Sequence, residues 1–131
     1  MKSGMKVGLQ ASITFTVTPD MFAQFEGKVV HPVYSTVSMV YHMEWASRKI
    51  ILPYLEDEEE GMGGAVTIQH LAPSGEGSTV TVTATVTKII KNVVITMVEA
   101  RNQREIIGTG EVKQVVLPKS KIGRLIDHSL S

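Results

Sequence analysis

The sequence predicts an α+β fold in which a curved antiparallel sheet of five strands wraps around one long central helix. Three observations predict it: an N-terminal segment of strict two-residue alternation, a long stretch that is apolar on most sides of a helical wheel, and four further strand-like segments joined by short turns. A helix that is apolar nearly all round must be covered on most sides, and a curved sheet can provide that cover. A partner molecule would complete it.

The first strand is predicted at residues 7–18. Its apolar residues, Val7, Leu9, Ala11, Ile13, Phe15 and Val17, alternate with Gly8, Gln10, Ser12, Thr14, Thr16 and Thr18. This pattern is typical of a strand with one face on the core and the other in water. Pro19 ends the strand, and at most a short helical turn is expected over residues 21–28.

The long helix is predicted from Ser35 to Pro53, where proline should kink or end it. Its apolar residues lie on almost every side of the helical wheel: Val37, Met39, Val40, Tyr41, Met43, Trp45, Ala46, Ile50, Ile51 and Leu52. Apolar residues on almost every side of the wheel predict a buried helix. An acidic run at residues 56–60, most simply a solvated loop, follows this helix, and a glycine-rich segment at 61–64 comes next.

Four antiparallel strands are predicted after the glycines. In the first of them, Val66, Ile68 and His70 share the face that should point at the helix; the others are expected at residues 79–87, 93–101 and about 105–117. The polar tail at 119–131, with a small basic cluster at Lys119, Lys121 and Arg124, is only weakly specified. One strand, a buried helix and four antiparallel strands make up the hotdog architecture, here expected as a single domain spanning residues 1–131.

Length, charge and composition exclude several classes of function. The 131 residues suffice for one domain, and 13 Lys and Arg balance 13 Asp and Glu, which argues against a nucleic-acid partner. No apolar run approaches the roughly 18 residues of a membrane-spanning helix, so no membrane partner is expected. The absence of cysteine excludes disulfides and thiolate chemistry and favours a reducing, cytoplasmic location. No motif for a metal or a nucleotide cofactor is present.

Two polar residues lie in segments that should form the core. His70 is on the strand face that points at the helix, where a lone histidine is either a structural residue or a functional one. Glu44 lies in the most apolar part of the helix, where burial would raise the pKa of its carboxyl toward the range of a useful base. The alternative is that Glu44 belongs to an exposed stripe with Ser47 and Arg48.

Three further candidates lie at the ends of elements. Thr36 could be the N-cap of the helix, unless Ser35 takes that role and leaves the Thr36 hydroxyl free. Gly63 and Gly64 could relieve the turn into the next strand, or they could let the backbone approach a ligand closely.

The segment from Thr36 to His70 resembles the fluoroacetyl-CoA thioesterase-like family of hotdog-fold thioesterases. The resemblance is carried by Thr36, Glu44 within Met43-Glu44-Trp45-Ala46, Pro53-Tyr54-Leu55 before the acidic loop, Gly63, and His70-Leu71-Ala72-Pro73 followed by Gly77. It implies that Thr36, Glu44 and His70 form the catalytic set. It also implies an acyl-CoA substrate, no cofactor other than the CoA of the substrate itself, and a homodimer with its sites near the interface.

The resemblance further implies a substrate-binding group. The family glycine near the thioester matches Gly63, which is followed here by Gly64 instead of the threonine that often follows it in the family. A family arginine on the last strand falls at Lys113 or Gln114, neither of which is an arginine. The departure bears on the acyl group that is accepted more than on the type of reaction.

The implied reaction is hydrolysis of a small acyl-CoA thioester to a free acid and CoA. Because the chain has no cysteine, the nucleophile must be water, a hydroxyl or a carboxylate. We expect Glu44 to act as base or nucleophile, His70 to position and transfer protons, and Thr36 to act as nucleophile or to orient water. Backbone N–H groups at the helix start or near Gly63 would hold the carbonyl oxygen.

Thr36 and Glu44 cannot touch if both lie in one straight helix, since eight residues span about 12 Å along its axis. Either Thr36 lies in the loop that enters the helix, or the site combines two subunits. An alternative function is a non-catalytic hotdog protein that binds acyl-CoA or another small ligand. A hydratase of the same fold is disfavoured because its usual Asp/His pairing is not evident.

Overall fold

The computed structural model describes all 131 residues. In chain order its elements are β1 Gln10–Thr16, β2 Phe22–Phe25, β3 Lys28–Tyr34, α1 Thr36–Ile51, β4 Glu59–His70, β5 Thr79–Ile90, β6 Val93–Arg101, β7 Ile106–Pro118 and α2 Lys119–Ser129. A short 3-10 turn at Pro19–Met21 precedes β2, and another at Leu52–Tyr54 follows α1. Neither helix combines the length and the apolar character that crossing a lipid bilayer requires.

Five of the strands form one antiparallel sheet in the order β1-β5-β6-β7-β4. The helix α1 packs on one face of this sheet and contacts all five of its strands. This arrangement confirms the predicted α+β hotdog fold. The strand β4 lies at one edge of the sheet and runs along α1, so that its last residue reaches the start of the helix.

The core lies between α1 and the sheet. The helix contributes Met39, Met43, Ala46, Ile50 and Ile51, and the sheet contributes mainly inward valines of β5, β6 and β7. Each large side chain that is fully buried in this way stabilises the fold by about 1.5–3 kcal/mol. Two glycines of β7 let the helix approach: a Cβ on Gly108 would lie 2.3 Å from the Met39 sulfur.

The structure corrects the prediction for residues 21–28. In place of a short helical turn alone, β2 and β3 form a separate two-stranded antiparallel hairpin. The turn between them has positive φ at both Glu26 (53°) and Gly27 (77°). A tight hairpin turn favours this backbone because it matches the twist of the flanking strands. In the sequence, the Glu26-Gly27 pair was the available signal of a hairpin turn. It is a weak signal because asparagine or aspartate, and not glutamate, is the usual residue before the glycine.

The C-terminal tail, for which the sequence specified no element, forms helix α2. Ile122, Leu125 and Ile126 recur along it at helical spacing, but the last two are 47% and 52% exposed. The helix has no buried residues and packs on little of the rest of the chain. The apolar pattern that predicted the core elements therefore did not predict this helix. Pro118 immediately precedes the helix, a place where its fixed φ is tolerated.

The helix α1 is not covered on all sides within one chain. Val37, Tyr41 and Trp45 recur every four residues on the face turned away from the sheet, and they are 74%, 62% and 45% exposed. Burial of the helix is therefore incomplete within one chain on this face, and the cover expected from a partner molecule stays a prediction. The sheet accounts for part of the cover, and an apolar stripe remains open, which we call the α1 stripe.

Candidate active site

The start of α1 holds the first part of the site. Ser35 is the N-cap, since its side-chain oxygen accepts a hydrogen bond of 3.0 Å from the backbone N–H of Ser38. Thr36 is therefore free of the capping role, and its hydroxyl lies 2.8 Å from Nδ1 of His70. Of the two possible caps, the structure shows Ser35. The Thr36–His70 pair joins the first residue of α1 to the last residue of β4.

His70 is held by its surroundings in a neutral state suited to proton transfer. Burial lowers the pKa of its imidazole below the usual 6.5, and a backbone hydrogen bond with Ala72 offsets only part of this effect. The ring of Tyr34, which is fully buried, packs edge-on to the imidazole with 6.3 Å between centroids. The other ring nitrogen, Nε2, is buried without a hydrogen-bond partner. It is the nitrogen that remains available for a substrate or another catalytic group.

The middle of α1 holds the second part of the site, at Glu44. A Cβ on Gly63 would lie 2.9 Å from Glu44 Oε1, so the absence of a side chain lets strand β4 approach this carboxylate. The pairing of β4 with β7 shifts register between Gly63 and Ala65, which is a local bulge. A Cβ on Gly64 would meet the side chains of Lys113 and Val115 instead. Bulges of this kind change the direction of nearby backbone groups and are common beside active sites.

Glu44 is exposed in the single chain, so the argument from burial does not apply to it there. The alternative of an exposed stripe shared with Ser47 is not correct either. Ser47 is fully buried, where its hydroxyl donates to the Met43 carbonyl and lies 2.8 Å from the Thr96 hydroxyl. The Glu44 carboxylate is thus exposed to solvent, whereas the nearby Ser47 hydroxyl is buried against Thr96.

A cleft of about 420 Å³ opens at Glu44. Its lining residues are Tyr41, Glu44, Trp45, Arg48, Gly61, Gly63, Val112 and Gln114. At one end Arg48 makes a bidentate pair with Glu60, at 2.8 and 3.1 Å, and this pairing lowers the pKa of the Glu60 carboxyl. Of the two candidates on the last strand, Gln114 lines the cleft, whereas Lys113 lies on the other side of β7 against Gly64.

The structure does not bring Thr36, Glu44 and His70 together within one chain. Thr36 is the first residue of α1 and not part of the entering loop, so it lies about 12 Å from Glu44 along the axis of the same helix. One chain therefore presents a hydroxyl–imidazole pair at one end of α1 and a carboxylate cleft at its middle. The aromatic lining by Tyr41 and Trp45 was not predicted as part of the site; their spacing of four residues was the available signal.

Comparisons with known proteins show the family to which the chain belongs. The family model described as fluoroacetyl-CoA-specific thioesterase matches residues 17–120. A curated protein named fluoroacetyl-CoA thioesterase, from Streptantibioticus cattleyicolor, is 33% identical in an alignment that covers 92% of this chain and 91% of that protein.

Two solved structures extend the comparison. A Thermus thermophilus hypothetical protein of the thioesterase superfamily superposes with a TM-score of 0.92 at 44% identity, covering 96% of this chain and 93% of that one. A mutant of the fluoroacetyl-CoA enzyme in complex with acetyl-CoA superposes with a TM-score of 0.89 at 27% identity, covering 97% and 100%. The chain accordingly belongs to the fluoroacetyl-CoA-specific thioesterase family, and it is a thioester hydrolase of the hotdog fold.

Proposed function

We propose that this chain hydrolyses short acyl-CoA thioesters to a free acid and CoA, with Thr36, Glu44 and His70 as its catalytic set. The observation that carries the proposal is the 2.8 Å contact between the Thr36 hydroxyl and His70 Nδ1, with Nε2 of the same ring unpartnered. A hydroxyl and an imidazole in this contact lack only a carboxylate to form a hydrolytic set. The relative named as a fluoroacetyl-CoA thioesterase and the relative that binds acetyl-CoA support the same substrate class.

The carboxylate comes from a second copy of the chain. In an antiparallel pair of α1 helices related by a two-fold axis near residues 40 and 41, the middle of one helix lies beside the start of the other. Such an axis places Thr36 opposite Glu44 of the partner subunit, because the two positions are symmetric about residue 40. Val37 and Trp45 are symmetric about residue 41, only about 1.5 Å further along the helix, so the same antiparallel packing brings them close to each other across the axis and covers the α1 stripe. One geometry thus completes the site and buries the open apolar face.

The residues then divide the reaction between them. Glu44 takes a proton from water, the water oxygen attacks the thioester carbonyl carbon, and the carbon–sulfur bond breaks. The proton returns from Glu44 to the CoA sulfur, which leaves as the thiol. Thr36, donating its hydroxyl hydrogen to His70 Nδ1, accepts a hydrogen bond from the water and orients it. With the proton of its neutral ring on Nε2, His70 donates to the carbonyl oxygen, where negative charge develops.

The test is release of free CoA thiol from a panel of short, branched and aromatic acyl-CoA thioesters. We expect hydrolysis of short acyl-CoA by the wild-type chain, and loss of it in Glu44→Gln and His70→Ala at unchanged folding. Binding of acyl-CoA with no hydrolysis of any member would instead identify a non-catalytic binding protein. Full activity in both variants would refute the assignment of the catalytic set while leaving the thioesterase activity itself intact.

A further inference from the structure

The cleft beside Glu44 is polar but has no unpaired cation. Arg48 is the positive side chain that lines it, and both of its terminal nitrogens contact Glu60, at 2.8 and 3.1 Å. Glu60 also accepts a hydrogen bond from the Gly61 N–H, which fixes the carboxylate in place. The charge left over in the cleft is that of Glu44. An acyl group with a carboxylate of its own would therefore meet repulsion without compensation.

Gln114 is the polar side chain in this cleft whose hydrogen bonding is incomplete. Its residue is only 5% exposed, and its side-chain nitrogen is buried with no partner. In the pairing of β4 with β7 it stands directly opposite Gly63, the glycine that faces Glu44, and its side-chain oxygen lies 3.8 Å from where a Cβ on Gly61 would be. An unpartnered buried amide is destabilising, and a ligand that completes its hydrogen bonding would remove that cost.

A glycine on the neighbouring strand gives this amide access to a ligand. Gly63 lines the cleft opposite Gln114 and presents no side chain between it and the Glu44 carboxylate, whereas the space beside Gly61 is filled by the Ile51 side chain. A small group bound next to the Glu44 carboxylate would therefore reach the amide of Gln114. A hydroxyl suits this position because it can donate to the amide oxygen or accept from the amide nitrogen.

We propose that Gln114 is a specificity-determining residue and that the cleft selects a short, uncharged acyl group bearing a hydroxyl. The inference rests on the proposed function, since the hydroxyl is recognised while the thioester carbon is held beside Glu44. An acyl group of equal size without the hydroxyl leaves the amide unpaired in a buried site, and such sites discriminate against the analogue that lacks the polar group.

The experiment compares glycolyl-CoA with propionyl-CoA, two substrates whose acyl groups have the same number of heavy atoms and differ in a hydroxyl against a methyl. We expect the wild-type chain to favour glycolyl-CoA by about tenfold in kcat/KM, the value of one hydrogen bond between neutral groups. In Gln114→Met, which keeps the length of the side chain and removes its amide, the ratio should fall to about one through loss on glycolyl-CoA. Malonyl-CoA, with its anionic acyl group, should be hydrolysed at least about tenfold less efficiently than glycolyl-CoA by the wild type.

A matched control is Gln10→Met on β1. Gln10 hydrogen-bonds to Thr85 in an exposed pair and does not line the cleft, so the glycolyl-to-propionyl ratio should be that of the wild type. Thermal unfolding of Gln114→Met should occur at an equal or higher temperature, because an unpartnered amide is replaced by an apolar group. A destabilised Gln114→Met variant would indicate a structural role and count against the proposal.

The outcomes distinguish a failure of the specificity inference from a failure of the proposed thioesterase function. A wild-type ratio near one, a ratio retained in Gln114→Met, or a preference for malonyl-CoA overturns the specificity inference while the thioesterase reaction stands. If no acyl-CoA in the series is hydrolysed, both the proposed function and the inference fail.

Discussion

Ser35 and Thr36 are adjacent residues with similar side chains, yet they have different partners. The Ser35 oxygen accepts from the Ser38 N–H inside the chain, and the Thr36 hydroxyl contacts His70. Capping residues stabilise a helix by satisfying backbone N–H groups that have no partner in the helix itself. A capping hydroxyl and a hydroxyl that we propose to be catalytic thus lie side by side, and mutation can separate their effects.

Thr36→Val should lower kcat by about a hundredfold or more with little change in stability, because it removes only the hydroxyl of an exposed side chain. Ser35→Ala should lower the free energy of unfolding by about 1 kcal/mol, the usual cost of losing an N-cap. Steady-state kinetics and urea unfolding of both variants give the comparison. Equal kinetic losses in the two variants, or a large stability loss in Thr36→Val, would contradict the division of roles.

The pH dependence of turnover should reflect the environment of His70. Burial lowers the pKa of this imidazole below 6.5, so the ring stays neutral and able to accept from Thr36 until the pH falls below that value. We therefore expect the acid limb of the kcat/KM profile to have its midpoint below pH 6.5, with activity lost as the pH falls further. A midpoint above pH 6.5 would contradict control of the acid limb by the buried His70 imidazole.

Residue spacing identified the candidate side chains but not their surroundings. Thr36, Glu44 and His70 were all predicted from their positions and from the family resemblance. The sequence left open whether Thr36 or Ser35 caps α1, and the exposure of Glu44 in one chain depends on which face of α1 packs on the sheet. The pairing that leaves the Gln114 nitrogen unpartnered joins residues 51 positions apart, and no local pattern indicates it.

At the scale of elements, the sequence predicted those that share the core and missed those that do not. β5 was predicted well because Val80, Val82, Ala84 and Val86 alternate with threonines and point into the core. The β2–β3 hairpin has no regular alternation of apolar residues, and the helical spacing of Ile122, Leu125 and Ile126 in α2 lies in a polar tail that adds nothing to the buried core. The extent of α1 was predicted closely, from Ser35 to the turn at Pro53, whereas the sequence left open whether Thr36 or Ser35 is its cap.

The approach of β4 to α1 predicts a sharp effect of one methyl group at the site. Gly63→Ala would place a Cβ 2.9 Å from Glu44 Oε1, closer than such atoms can stay, and the carboxylate would have to move. We expect kcat/KM to fall by about tenfold to a hundredfold, since displacements of this size misplace catalytic groups. Acyl-CoA hydrolysis assays measure the effect.

The matched control is Gly123→Ala in α2, where an added Cβ meets no atom within 4 Å. This variant should hydrolyse acyl-CoA as the wild type does and should be at least as stable, because alanine favours a helix more than glycine. Unchanged activity in Gly63→Ala would mean that Glu44 is not held against β4 during catalysis.

At the scale of the whole molecule, one chain has two incomplete features that a second copy would complete. The α1 stripe of Val37, Tyr41 and Trp45 is exposed, and the Thr36–His70 pair lacks a carboxylate. The proposed two-fold axis near residues 40 and 41 would complete both at once. Sequence patterns suggested that a partner covers the helix, but the identity of the exposed residues required the orientation of α1 on the sheet.

The central claim is that the site joins Thr36 and His70 of one subunit to Glu44 of the partner subunit. It is tested by co-expressing His70→Ala and Glu44→Gln chains that carry different tags and purifying the mixed dimer through both tags. The mixed dimer would contain one site with both substitutions and one site with neither. Each variant expressed alone would have a substitution in every site and serves as the inactive control.

The measurement is acyl-CoA hydrolysis by this purified mixed dimer. If the site is shared between subunits, the mixed dimer should recover about half of the wild-type activity, because one of its two sites is intact. Activity no higher than that of either variant alone, or the absence of any dimer, would show that each chain builds its site by itself.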